Sequence, residues 1–156
     1  MTRSKARHLA IQLCFAAAAS GRAPEELAGD FFSEEHFATL AGIDELYDET
    51  PAGKDLDYIL RLSSLVIEKQ DELDAIIGRY AKGWRIERIS KTALAVMRCA
   101  ICEILYIEDV PAGAAINEAV ELDKNYDEPE TVAFINGVLG AFVRAEAAAP
   151  TAEEDP

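Results

Sequence analysis

Between Ile89 and Tyr106 the chain reads ISKTALAVMRCAICEILY, with apolar side chains at Ile89, Ala93, Val96, Met97, Ala100, Ile101, Ile104 and Leu105. On a helix turning about 100° per residue, these positions cover much more than the single stripe a surface helix presents to its core. Such a segment is stable in water only if other helices surround most of its circumference. It is therefore expected to be the central helix, with Met97, Ile101 and Leu105 buried. A fold built around it needs several amphipathic partners.

The rest of the chain supplies them. In LAIQLCFAAAA the residues Leu9, Leu13 and Ala16 recur at helical spacing beside Ile11, Cys14 and Phe15, and Gly21 with Pro24 closes the segment. A second helix is expected from Glu25 to Leu40. The connector YDETPAGK contains the breakers Pro51 and Gly53, and Asp55 can cap the next helix. That long helix, over Leu56 to Tyr80, carries Ile59, Leu62, Leu65, Val66, Leu73, Ile76 and Ile77 along one side and ends before Gly83. Beyond Pro111 and Gly113, AAINEAVELDKNY turns Ile116, Ala119, Val120 and Leu122 inward and Glu118, Glu121 and Lys124 outward, with Asn117 expected to satisfy backbone groups inside the fold. Pro129 suits the first turn of a last helix, where Gly137 and Gly140 are expected to let another helix approach closely. There is no strand pattern and no internal repeat, so the fold class is all-α. At 156 residues and half hydrophobic, the chain fits one domain over 1–149, followed by an acidic tail, PTAEEDP at 150–156, expected to be disordered.

The formal net charge of −14 is unevenly spread. Residues 1–24 hold Arg3, Lys5, Arg7 and Arg22 and no acid, whereas residues 25–78 hold three bases against fifteen acids. Residues 79–98 hold six bases against Glu87, and residues 99–156 hold two bases against thirteen acids. Blocks of opposite sign give local fields that differ from that of the whole molecule. Bases in the first turn of a helix oppose its macrodipole, at about 0.3–1 kcal/mol each, so Arg3, Lys5 and Arg7 do not serve helix stability. Phosphate is the natural counterpart of such an arm, and a solvated tail is the alternative. In RYAKGWRIERISK, aromatics interleaved with bases suit nucleic acid, but bases complementing a helix C-terminus and aromatics sealing a core explain the pattern better.

No chemistry-bearing constellation points to an enzyme. Three cysteines, Cys14, Cys99 and Cys102, lie among aliphatic residues. Cys99 and Cys102 have Cys-x-x-Cys spacing, yet lack a second ligand pair for zinc and the strand and turn of a redox site, so they read as core packing in a reducing compartment. Glu118 and Glu121 share a helical face, but a di-iron bundle needs Glu-x-x-His, and the histidines are His8 and His36. No catalytic residue, metal site or cofactor is expected. Without a long apolar run or a convincing signal segment, the chain is expected to be a cytoplasmic protein with no membrane partner.

The stretch VPAGAAINEAVELDKNYDEPETVAFINGVL, preceded by MRCAICEILY and WRIER, resembles the C-terminal half of the NusB family of bacterial transcription antitermination factors. RSKARHLAIQLCF is similar to the arginine-rich start of that family, although Ser4, Ala6 and His8 interrupt the basic residues here. The resemblance implies two helical sub-bundles packed in one domain. It also implies heterodimerisation with the small-subunit ribosomal protein NusE, binding of boxA single-stranded RNA in ribosomal RNA leader transcripts, and action within the RNA polymerase antitermination complex. Candidate RNA-binding residues are then Arg3, Lys5, Arg7 and Gln12, with Glu121 and Lys124 at the rim. Phe15 and Glu87 are candidate partner contacts, although Phe15 also fits a core position. The alternative is a protein-only helical adaptor or homodimer with weak or no RNA binding.

Overall fold

The computed structural model describes residues 1–107 and 109–147, without the side chain of Ala147. The expected disordered tail at 150–156 lies outside the described residues. The chain divides into two compact units, Met1–Glu68 and Lys69–Pro156, and among the described residues all regular structure is helical.

In the first unit, α1 spans Arg3–Ser20. Its N-cap is Thr2, whose side-chain oxygen accepts the Lys5 backbone N–H at 3.1 Å, and it stops at Gly21, whose φ of 74° favours glycine and whose N–H donates to the Ala17 carbonyl. The expected helix from Glu25 to Leu40 is two helices, α2 (Pro24–Phe31) and α3 (Glu34–Thr39). Ser33 causes the break: its hydroxyl accepts the His36 N–H at 3.0 Å, and Glu34 and Glu35 follow in a first turn that favours acids. A 3₁₀ turn at Glu45–Tyr47 precedes α4 (Gly53–Glu68), where Asp55 occupies the first turn rather than the cap. α1 packs on α4 and α2 around Leu9, Leu13, Ile59 and Leu62, all essentially inaccessible.

The second unit contains α5 (Gln70–Tyr80), a 3₁₀ turn at Ile86–Arg88, α6 (Lys91–Tyr106), α7 (Ala112–Asp123) and α8 (Pro129–Phe142), which continues into a π turn at Val143–Ala147. The single helix expected over Leu56 to Tyr80 is interrupted at Lys69, where Asp71 and Glu72 favour a new helix start. α6 is the buried centre of its unit, packed against α5, α7 and α8, with Met97 and Ile101 at 0% exposure. Leu105 departs from expectation: it is 40% exposed, on a side of the last turn of α6 left open while Glu103 and Ile107 nearby are buried. The Arg98 guanidinium joins α6 to α5 through two bonds to Asp74, of 2.7 and 2.9 Å.

On α7 the inward face is Ala115, Ala119, Leu122 and Asp123, while Ile116 and Val120 are half-buried and Asn117 is exposed rather than turned into the fold. Asp123 is fully buried and neither carboxyl oxygen accepts a hydrogen bond. Burial first, and then the neighbouring carboxylate of Asp127, push its pKa up to about 7. The glycines of α8 also differ from expectation. A Cβ on Gly137 would meet open space, and one on Gly140 would meet the Arg144 guanidinium of the next turn at 3.2 Å, so neither accommodates another helix.

Candidate nucleic-acid interface

α1 presents two unlike sides. Ala6, Leu9, Ala10, Leu13 and Ala17 are buried against the first unit's core, whereas Lys5, His8, Gln12 and Phe15, spaced three, four and three apart, form one stripe on the other side. Lys5, His8 and Gln12 are half-buried, and Phe15 is 41% exposed, so it is a surface aromatic and not a core one. His8 is absent from the sequence-derived site, although its place in this periodicity is readable from the spacing. Its pKa lies below the ordinary histidine value, chiefly because burial disfavours the imidazolium, with Asp44 pulling the other way. At neutral pH this stripe therefore offers one cation, a neutral imidazole, an amide and an aromatic face.

The basic residues separate on the structure. The Arg3 guanidinium lies 4.0 Å from the centre of the Tyr58 ring, which orients an exposed cation at the start of α1. Arg7, one turn on, is only 5% exposed, so its guanidinium is not offered at the surface. The Met1 ammonium lies 3.4 Å from Glu49 and 3.5 Å from Asp55, placing acids beside the basic start. Gln12 donates from Nε2 to the Tyr47 hydroxyl at 3.3 Å, at the rim of a pocket of about 160 Å³ that also includes Phe31 and Phe37. Arg3, Lys5 and Gln12 thus belong to one helix, with Tyr58 and Tyr47 as supports that sequence spacing does not reveal.

The remaining candidates lie in the second unit. Lys124 Nζ donates to Glu121 at 2.9 Å, and both side chains are more than half exposed at the end of α7. Glu87 is exposed on the 3₁₀ turn. Cys99 and Cys102 are inaccessible in α6. Among the described residues no group of three or more histidine, cysteine or acidic side chains could hold a metal ion, and no helix is long and apolar enough to cross a membrane.

The sequence profile of the NusB family matches residues 4–144. The transcription antitermination protein NusB of Symbiobacterium thermophilum is 34% identical over 154 residues, covering 99% of this chain and 97% of that protein. The NusB protein of Acetivibrio thermocellus is 47% identical over 92 residues, a match spanning 59% of this chain and 63% of the relative. Among solved structures, the antitermination factors NusB and NusE in complex with double-stranded RNA include a chain matching this fold with a TM-score of 0.74 and 22% identity, over 92% of this chain and 96% of that one.

Proposed function

This chain belongs to the NusB family, and on that footing we propose that it is a transcription antitermination factor that binds boxA RNA of ribosomal RNA leaders together with NusE. The observation that carries the reading is the start of α1. Arg3 is exposed and oriented by Tyr58, and Lys5 is half-exposed, although both cations oppose the helix dipole. Their charge finds its use outside the helix, and phosphate matches it. Gln12 adds a group able to bond a base edge, and in the second unit Glu121 with Lys124 forms an exposed polar pair that can add an RNA contact of its own. Arg7 acts from beneath the surface as a support of α1, leaving phosphate contact to Arg3 and Lys5. The exposed Phe15 and Glu87 supply an aromatic and an acidic contact for NusE. The assembly works in the cytoplasm within the RNA polymerase antitermination complex.

A second reading, a protein-only adaptor or homodimer, draws on Phe15 exposure and on the acids beside Met1. A salt series separates the two. With NusE present, Arg3→Ala with Lys5→Ala should weaken boxA binding and flatten the log-log salt slope by roughly 1.4, about 0.7 for each lost phosphate contact on single-stranded RNA. Unchanged affinity and slope, with the helical fold intact, would remove the arm from RNA contact and favour the adaptor.

A further inference from the structure

The segment RYAKGWRIERISK does not seal a core with its tryptophan. Trp84, the single tryptophan of the chain, is 43% exposed and stands 4.6 Å, centre to centre, from Phe134 of α8 at an interplanar angle of 40°. The pair lines a cleft of about 630 Å³ walled by Tyr80, Gly137 and Val138, with Lys82 and Arg144 contributing cationic side chains. Among the described residues neither Lys82 nor Arg144 is ion-paired, whereas the nearby Arg79 and the Tyr80 hydroxyl both bond the Glu146 carboxylate. The Glu146 carboxylate is thus already occupied. Gly137 keeps the cleft open, since its Cβ position faces empty space. Gly140 leaves room for the Arg144 guanidinium, which would lie 3.2 Å from a Cβ there.

An exposed aromatic face beside two cations, in an open cleft, is the chemistry that stacks an unpaired base while neutralising its flanking phosphates. We propose that the Trp84–Phe134 cleft is a second single-stranded RNA contact, in which one base stacks on Trp84 while Lys82 and Arg144 meet the adjoining phosphates. Charge complementarity selects this occupant: in a chain of net charge −14, the exposed Trp84 face is flanked by two cations, Lys82 and Arg144, that no carboxylate among the described residues pairs. The contact is built within the second unit and does not rest on the role given to α1.

Because Trp84 is the single tryptophan, its emission reports on the cleft directly. The full chain is titrated with oligouridylate of about eight nucleotides across a salt series. Saturable quenching is expected, and Lys82→Ala and Arg144→Ala should each flatten the salt slope by about 0.7. Gly137→Leu, which fills the cleft from an open helical position, should weaken binding about five-fold or more while thermal unfolding stays cooperative. Arg3→Ala with Lys5→Ala should leave the Trp84 signal unchanged, which separates failure at α1 from failure here. No quenching, quenching without salt dependence, loss of the signal on changing Arg3 and Lys5, or a response to NusE alone would overturn the proposal.

Discussion

Replacing Asp123 with asparagine should stabilise the protein at alkaline pH and remove much of its pH dependence. The carboxyl is fully buried, accepts no hydrogen bond and has its pKa pushed from 3.8 to about 7. A carboxyl whose folded pKa is raised holds its proton longer in the folded state than in the unfolded one. Its favourable contribution is therefore complete below about pH 4 and is lost as pH rises through about 7. At 1.36 kcal/mol per pKa unit, the loss is on the order of 4 kcal/mol at high pH, more than half of it between roughly pH 5 and 8.5. Asparagine is close in shape to the protonated acid and carries no proton that titrates in this range. Urea unfolding of both proteins across that range is the assay, with the difference between them isolating Asp123 from His8, whose lowered pKa acts in the opposite direction. Equal pH slopes, or a variant less stable than the parent at pH 8.5, would refute the account of this carboxyl.

Ile101→Ala should cost about 2–5 kcal/mol in urea unfolding, while Leu105→Ala, at an exposed position of α6, should cost less than about 1 kcal/mol. Asp74→Ala leaves the Arg98 guanidinium without its two-bonded partner in a largely buried position and should destabilise by about 3 kcal/mol; Asp74→Ala combined with Arg98→Met should recover part of that loss in a double-mutant cycle. Cys99→Ala and Cys102→Ala should lower the melting temperature modestly and leave RNA affinity unchanged with chelator and reductant present, whereas stoichiometric zinc would show that the pair binds metal.

Helix positions and their buried faces are legible because the 3.6-residue period records which side chains need cover. Met97 and Ile101 illustrate this, as do the Gly21 stop and the Pro129 start. The breaks at Ser33 and Lys69 escape such a reading, since acids starting a new helix interrupt no apolar period. Leu105 and Asn117 are misplaced by it for a related reason: periodicity assigns a face but not which positions on that face a neighbour covers. For the candidate site, the sequence indicates Arg3, Lys5 and Gln12 through charge and resemblance. It holds no sign that Arg7 is buried, that Tyr58 carries Arg3, or that Trp84 stands exposed against Phe134, because each depends on which residues distant in the chain fold together.

The central claim is that RNA recognition is the work of this chain together with NusE. The most direct measurement is the affinity of boxA RNA and of a scrambled RNA of equal length for the wild-type chain, with and without NusE, at one fixed salt concentration. The account predicts weak binding by the chain alone and tight binding in the presence of NusE, with boxA preferred over the scrambled strand by at least about ten-fold, within the range expected for specific base reading. Equal affinity for both RNAs with NusE present, or a chain that adds nothing to the affinity of NusE alone, would contradict it.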